Sequence, residues 1–289
     1  MKTNVAEMVE AVQSRLTEVP PPSMPRHPLE APLLELAQHL SDTQLRALLG
    51  FCVGGHNLAL CLHRVARVER GNWLITPEAQ LDALVELLRS ARSTGPRPWL
   101  TVAFDDGYDD AAQYVLSRAP RYPDVEWLLF VCPEKNEKRL QFHWDVEPAG
   151  ALADIATLKA AARLPNVSLG NHTNSHQRQI LLTQEEADAE YKSSRADFMR
   201  LFGRQRHFAF PFGTPDREYE LRHVQLLREL EPEGLIWSTE SRPFDPDERK
   251  SGAVLPRFPV DGEWTYAQVA LWICAISVRY RLRGSPYQY

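Results

Sequence analysis

Leu100-Thr-Val-Ala-Phe-Asp-Asp-Gly107 is an apolar run that ends in two carboxylates and a glycine. A run of this length is typical of a buried strand, because it is too short for a helix. Leu58-Ala-Leu-Cys-Leu62 and Trp127-Leu-Leu-Phe-Val131 have the same character. Continuously apolar strands are covered on both faces, as in a parallel sheet. The stretch therefore predicts a buried parallel strand with polar side chains at its carboxyl end.

Helical segments alternate with these strands along the chain. Leucine and valine at helical spacing predict a helix that starts at Thr76-Pro77. Thr183 with Glu186 has the capping-box pattern of a second helix, and a third is predicted from Asp216 to about Leu230. Further strands are predicted at residues 167–169, 208–210, 235–239 and 254–258. Strands bounded by helices predict an α/β fold, layered or barrel-shaped, with a parallel sheet.

The chain of 289 residues is long enough for one large domain or two small ones. A helix is predicted within residues 1–19, and a proline-rich segment follows to Pro32. Two short helices come next, and Ser41 with Gln44 marks the start of the second. We therefore expect an N-terminal helical and proline-rich segment at 1–50, an α/β domain at 51–262 and a C-terminal helix packed on it at 263–289.

The composition excludes several classes of protein. With 44% hydrophobic and 25% charged residues, the chain is typical of an ordinary soluble protein, and its net charge of −5 argues against nucleic acid as a partner. The longest apolar run, residues 269–278, is half of the about 20 residues that a transmembrane helix needs. Cys52, Cys61, Cys132 and Cys274 form no CxxC pair and are expected to be buried free thiols. Since no leader is visible, we expect a cytoplasmic protein without a transmembrane segment.

Polar residues follow three of the predicted strands, at Asp105-Asp106, at His172 and His176, and at Pro211-Phe212-Gly213. The carboxyl ends of parallel strands meet on one face, where α/β folds build active sites. Histidines four residues apart would lie on one face of a helical turn and reach one cation. Each cluster alone has a simpler interpretation, as a helix cap, an exposed loop or a turn. Together they favour a hydrolytic metal site, which needs three protein ligands and open positions.

These segments resemble the motifs of the NodB-homology polysaccharide deacetylases, carbohydrate esterase family 4. Ala103-Phe-Asp-Asp-Gly107 is similar to the first motif, TFDDG, and His172-Thr-Asn-Ser-His176 matches the second, H-[ST]-x-x-H. Pro211-Phe212-Gly213 matches the third, although Ala209 replaces the usual arginine. The resemblance covers about residues 51–262. It implies a distorted (β/α) barrel of about seven strands, here preceded by the short helical N-terminal segment.

The resemblance also implies roles for individual residues. Asp106, His172 and His176 would hold a divalent metal, most often Zn²⁺, with Co²⁺, Ni²⁺, Mn²⁺ and Fe²⁺ as alternatives. Asp105 would be the general base for a metal-bound water that acts as the nucleophile. The backbone N–H of Phe212 would help to hold the oxyanion.

The chain departs from the family pattern because no Asp-x-x-Asp-Trp fourth motif and no Leu-x-His fifth motif follows residue 213. Leu60-Cys-Leu-His63 resembles the fifth motif moved to an N-terminal strand, as in circularly permuted members. His63 would then donate a proton to the leaving amine, the alternative being a histidine hydrogen-bonded in a turn. Arg257 either replaces the missing third-motif arginine or is an ordinary surface arginine.

The resemblance implies a metal-dependent N-deacetylase whose substrate is an N-acetylated sugar or glycoconjugate. Two alternatives stay open. One is an amidohydrolase that acts on a small cyclic amide, a ureide or a metabolite amide, and the other is a non-catalytic carbohydrate-binding relative. The paired carboxylates and histidines argue against the second alternative, because a binding module needs no base beside a metal site. The sequence leaves the oligomeric state and the identity of the sugar open.

Overall fold

The computed structural model describes residues 30–91, 99–142, 144–145 and 150–283. The helix predicted within residues 1–19 and most of the proline-rich segment lie outside these ranges. The α-helices are α1 (Glu30–His39), α2 (Asp42–Val53), α3 (Glu78–Ala91), α4 (Asp109–Arg118), α5 (Pro133–Lys138), α6 (Ile155–Ala161), α7 (Gln184–Phe202), α8 (Leu221–Leu230), α9 (Glu248–Ser251) and α10 (Tyr266–Arg283). The strands are β1 (Leu58–Leu62), β2 (Arg64–Ala66), β3 (Ile75–Pro77), β4 (Leu100–Phe104), β5 (Val125–Val131), β6 (Val167–Asn171), β7 (His207–Ala209), β8 (Leu235–Trp237), β9 (Val254–Leu255) and β10 (Phe258–Pro259).

The main sheet is parallel and has the strand order β10-β1-β4-β5-β6-β7-β8-β9. Its two edge strands, β9 and β10, are separated in the chain only by Pro256 and Arg257. They therefore form one interrupted strand, whose first half pairs with β8 and whose second half pairs with β1. This interrupted strand closes the curled sheet into a barrel with seven strand positions. The predicted α/β barrel of about seven strands is confirmed.

Alternate residues of each strand belong to different apolar clusters, as the two faces of a strand require. Leu58, Leu60 and Leu62 pack in the large core that the helices cover. The inner cluster instead combines small alanines with a few large side chains, which fit the narrow interior of a small barrel. Its members are Ala59, Ala103, Leu128, Phe130, Ala209, Trp237, Phe244 and Leu255.

The helices at the two ends of the described chain pack on the same core. The predicted capping box of α2 is confirmed, since Gln44 N donates to Ser41 Oγ at 3.4 Å and Ser41 N to Gln44 Oε1 at 2.9 Å. Leu45 and Leu49 of α2 are buried in the large core. Tyr266 Oη, at the start of α10, donates to the carboxylate of Asp42 at 2.8 Å. Within the described residues, no helix has the length and apolar character that crossing a membrane requires.

Several predicted boundaries are wrong. The helix expected from Asp216 begins only at Leu221, because Asp216 has a left-handed φ of +60° and Glu220 caps the helix. Thr76-Pro77 ends strand β3 and does not begin the helix, which starts one residue later. The strand expected to end before Gly170 continues to Asn171, where it pairs with β7. The prediction of buried free thiols is confirmed for all four cysteines.

Candidate metal centre

The predicted site residues lie at the carboxyl ends of the strands. His63 follows β1, the Asp105-Asp106 pair follows β4, and the two histidines follow β6. Phe212 comes after β7, and Arg257 lies between the halves of the interrupted strand. Because the strands are parallel, all of these residues share one end of the barrel.

Three potential metal ligands converge there. Oδ1 of Asp106 lies 3.0 Å from Nε2 of His176 and 3.6 Å from Nε2 of His172. One ligand atom from each residue lies within 4.8 Å of the other two, and all three residues are buried. Two imidazole nitrogens and one carboxylate oxygen are the donors that Zn²⁺ prefers.

Unsatisfied polar atoms indicate that this cluster suits a cation. Asp106 Oδ1 is buried and has no well-formed hydrogen bond among the described residues, and the same holds for His176 Nδ1. A buried carboxylate oxygen without a well-formed hydrogen bond is costly, and a metal ion would remove that cost. The donors present therefore fit a divalent cation.

The tautomer of His172 also suits a ligand. Its Nδ1 lies 2.8 Å from the carbonyl oxygen of Ala209, which only accepts, so Nδ1 carries the proton. Burial lowers the pKa of His172 to about 4, even though the carboxylates of Asp105 and Asp106 oppose that shift. The ring is therefore neutral at pH 7, and the lone pair of Nε2 faces Asp106.

The helical turn predicted for the two histidines is wrong, because residues 172–178 form a loop. The imidazoles converge because Thr173 and His176 both have left-handed backbones, with φ of +65° and +56°. Hydrogen bonds hold this loop: His176 N donates to Thr173 Oγ1 at 3.1 Å, and Thr173 N donates to Asn171 Oδ1 at 2.9 Å. The spacing of the histidines correctly predicted that the two imidazoles lie close together, but it wrongly predicted a helical turn.

Left-handed backbone is concentrated at this end of the barrel. Asp106 and Phe212 have φ of +71° and +62°, in addition to the two residues of the histidine loop. For a residue with a Cβ, this conformation costs about 1–2 kcal/mol. Such strain is typical of functional sites, because the surrounding structure must impose it.

Arg257 is fully buried, which excludes the surface-arginine interpretation. Its Nη1 and Nη2 donate to the two oxygens of Asp105 at 2.5 and 3.0 Å, and its Nε donates to Ser238 O at 3.2 Å. Burial alone would raise the pKa of Asp105, but the charge of Arg257 outweighs it and holds that pKa well below its usual range. Asp105 is therefore ionised and fixed in orientation. Arg257 and Asp105 therefore form a buried, two-bond ion pair.

His63 and Phe212 complete the surroundings of the cluster. His63 is half-buried and follows Leu62, whose carbonyl accepts a hydrogen bond from Asp105 N at 2.8 Å. Its charge contributes to lowering the pKa of both neighbouring carboxyl groups, after the larger effects of burial and closer partners. The Phe212 ring is 41% exposed, and its centroid lies 5.1 Å from that of His176.

Aromatic side chains line the approach to His176. The Trp144 ring centroid lies 4.8 Å from that of His176 and 6.3 Å from that of Phe212, and Trp144 stacks on Phe142 at 4.6 Å. These rings make the approach to the metal ligands apolar on one side.

Two residues of this end of the barrel were missed in the sequence. The Cys61 thiol donates to Asp105 Oδ2 at 3.4 Å, and the Asn136 amide donates to Gly107 O at 2.8 Å. Cys61 could have been found, because it precedes the end of a strand next to β4. Asn136 carried only a weak signal, as a polar residue one turn after the end of β5.

The comparison with protein families matches residues 92–231 to the polysaccharide deacetylases. This stretch includes Asp105, Asp106 and both histidines, and it ends before Arg257. A comparison with curated protein sequences gives no significant match.

Among solved structures, the chain is similar to IcaB from Ammonifex degensii, with 19% identity over 76% of this chain and 98% of that chain and a TM-score of 0.55. The deacetylase PplD of Streptococcus pyogenes is 15% identical over 75% of this chain and 97% of its own, with a TM-score of 0.57. A de-N-acetylase from Aggregatibacter actinomycetemcomitans is 10% identical over 75% and 99% of the two chains, with a TM-score of 0.57. At these identities the similarity shows a shared fold.

The family match relates the site residues, and not only the fold, to the polysaccharide deacetylases. It spans the two strand ends that carry the carboxylates and the histidines, and the barrel places them together. Residues 92–231 match the polysaccharide deacetylase family, the NodB-homology group.

Proposed function

We propose that this chain is a metal-dependent N-deacetylase that hydrolyses the acetamide of an N-acetylated sugar in a glycan or glycoconjugate. One observation carries the proposal: three buried metal-type donors converge beside a carboxylate that Arg257 keeps ionised. The family match supports it, since members of the family are carbohydrate esterases that generally depend on a divalent metal.

Asp106, His172 and His176 would hold the cation through Oδ1 and the two Nε2 atoms, with Zn²⁺ the best match to this donor set. A divalent cation at such a site lowers the pKa of a coordinated water and polarises a carbonyl oxygen. Asp106 and the two imidazoles would thus position the cation at the carboxyl ends of β4 and β6.

Asp105 would accept a proton from the attacking water. Its Oδ2 lies 3.7 Å from His172 Nε2, so it faces the same point as the metal donors. The lowered pKa of Asp105 keeps its carboxylate ionised at neutral pH, which is the form that can accept a proton. A second group must then deliver a proton to the leaving amine.

His63 is proposed as that second group. It is half-buried and follows β1, the strand next to β4. It also contributes to lowering the pKa of Asp105 and of Asp106. An imidazole can donate a proton at neutral pH and recover it afterwards. A donor on one side of the scissile bond and a base on the other is the arrangement that amide hydrolysis requires.

The turn at Phe212 is proposed to hold the developing negative charge on the substrate oxygen. Thr239 fixes this turn, because its Oγ1 donates to Phe212 O at 2.9 Å and its N to Gly213 O at 2.8 Å. A backbone N–H in a fixed turn needs no reorganisation when the charge forms, which is the requirement for an oxyanion hole.

The test is to measure metal content and acetate release with the purified protein. We expect one zinc ion per chain and acetate release from oligomers of N-acetylglucosamine, with both lost in the double variant His172→Ala/His176→Ala. His56→Ala is the matched control, because His56 precedes β1 at the opposite end of the barrel; it should keep both properties.

Stoichiometric zinc in the double variant would overturn the metal assignment. A panel of cyclic amides and ureides tests the substrate class. Turnover of these compounds without acetate release from the oligomers would favour the amidohydrolase alternative, and metal binding without turnover of either class would favour the non-catalytic one.

A further inference from the structure

Asn136, in helix α5, is fully buried and bonds three separate backbone segments. Its Nδ2 donates to Gly107 O at 2.8 Å and to Ala153 O at 3.1 Å, and its Oδ1 accepts from Cys132 N at 3.1 Å. Both amide hydrogens and the amide oxygen thus have partners. Gly107 follows β4, Ala153 lies shortly before α6, and Cys132 is the residue between β5 and α5.

The segment that contains Gly107 also carries Asp106. Asp106 and Gly107 are consecutive left-handed residues, with φ of +71° and +75°. The carbonyl of Gly107 accepts two hydrogen bonds, one from Asn136 and one from Ala153 N at 2.9 Å. A Cβ on Gly107 would lie 2.6 Å from Asn136 Oδ1, so the amide packs directly on this turn. Asn136 therefore fixes the backbone immediately after the Asp106 ligand.

The segment that leads into α5 also contacts the histidine loop. Glu134 N donates to Asn174 Oδ1 at 3.0 Å, and Asn174 lies between the two histidines. The thiol of Cys132 donates to His172 O at 3.5 Å. Residues 132–136 therefore connect the turn of Asp106 to the loop of His172 and His176.

We propose that Asn136 is a positioning residue for the metal site. Its side chain fixes the distance between the Asp106 carboxylate and the two imidazoles, although its own hydrogen bonds go to backbone atoms. The inference rests on the proposed function, because it needs the three donors to hold a metal. Residues that orient metal ligands from outside typically contribute 10–100-fold in metal affinity or activity.

The test compares Asn136→Asp with Asn166→Asp. Asn166 is a matched control, because its Nδ2 donates to three carbonyls, those of Ala119, Tyr122 and Val125, at 3.1, 2.9 and 3.0 Å. It lies just before β6, at the opposite end of the barrel. Both variants keep the side-chain size, add one negative charge and replace a donor by an acceptor.

The Kd for zinc is measured on the metal-free protein by competition with a chelator, and the thermal midpoint by circular dichroism. We expect Asn136→Asp to weaken zinc binding about 10–100-fold. We expect Asn166→Asp to lower the thermal midpoint without changing the Kd. At saturating zinc, Asn136→Asp should lower kcat and leave KM nearly unchanged.

Equal Kd values for wild type and Asn136→Asp would overturn this inference alone, whereas a wild type that binds no zinc would overturn the proposed function as well. If Asn136→Asp does not fold, Asn136→Ser takes its place, since its hydroxyl is smaller and adds no charge. Failure of both variants to fold, while Asn166→Asp folds, would show that Asn136 is needed for the fold itself and would overturn the positioning role.

Discussion

Arg257 donates to both carboxylate oxygens of Asp105, although the two residues are 152 positions apart in the chain. The arginine lies in the break of the interrupted strand, and the aspartate follows β4. The ion pair therefore joins the segment that closes the barrel to the carboxylate proposed as the base. Because both side chains are buried, the pair affects stability as well as chemistry.

Removing Arg257 should destabilise the fold through the charge that it leaves behind. A buried ion pair that loses one partner costs about 3–5 kcal/mol, so Arg257→Met should lower the free energy of unfolding by that amount. The double variant Asp105→Asn/Arg257→Met should recover part of the loss, since no unpaired charge remains. Urea denaturation of the two variants and the wild type measures both effects. A double variant no more stable than Arg257→Met would contradict this explanation.

Asp105→Asn should separate metal binding from catalysis. The amide cannot accept the proton of the attacking water, so kcat should fall by about 10²–10⁴, while zinc content stays unchanged. Asp110→Asn is a suitable control, because Asp110 is a half-buried carboxylate near this strand end that pairs with Arg64 at 2.9 Å. Steady-state kinetics and metal analysis are the measurements. A rate near that of the wild type would mean that Asp105 has only a structural role.

His63→Ala should affect substrates according to their leaving group. An amine needs a proton to depart, whereas the alkoxide of an activated ester leaves without one. Acetamide hydrolysis should therefore fall steeply, ester hydrolysis should fall much less, and metal content should not change. Parallel kcat/KM measurements on the two substrates test this. Equal losses on both substrates would remove His63 from the proposed mechanism.

His207 should make the fold sensitive to mild acid. Burial, aided by Arg249 and Arg206 and opposed by Glu126, lowers the pKa of His207 from 6.5 to about 4. Between these two pH values the unfolded chain binds a proton that the folded chain does not, so stability falls as the pH falls from 6.5 towards 4. His207→Gln should reduce that dependence.

Urea denaturation between pH 4.5 and about 7 measures this effect. Trp237→Phe is an informative companion, because it removes the 3.2 Å hydrogen bond from Trp237 Nε1 to His207 Nδ1 but leaves the imidazole in place. It should keep most of the pH dependence. Identical slopes for the wild type and His207→Gln would show that other groups cause the acid sensitivity.

The parallel α/β sheet was predictable because its strands are short apolar runs that end in polar residues, whereas its barrel shape was implied by the family resemblance. Leu100–Phe104 has this pattern, and the structure gives the predicted bounds for β4. The metal donors were predictable for the same reason, since parallel strands bring their ends together. The contact of Arg257 with Asp105 was only one of two alternatives in the sequence, because it depends on how the last strand closes the barrel.

Other features depend on tertiary structure that leaves little trace in the sequence. The start of α8 is set by the left-handed backbone of Asp216 and not by helix propensity. The histidine loop takes its shape from the left-handed Thr173 and His176 and from side-chain hydrogen bonds, so the spacing alone predicted the wrong local structure. Asn136 acts on backbone atoms of distant loops, and no motif marks such a residue.

The interrupted strand also determines when the barrel can close during synthesis. A ribosome adds about 5–20 residues per second, so roughly 10–40 seconds separate the emergence of β1 from that of residues 254–259. Throughout that interval β1 has an edge without its final neighbour, and β8 has one from its own emergence onwards; open strand edges attract other chains. Arg257 arrives on the same segment that covers those edges. A nascent chain therefore acquires a closed barrel and a paired Asp105 in one late step, and a chain cut short before residue 254 has neither.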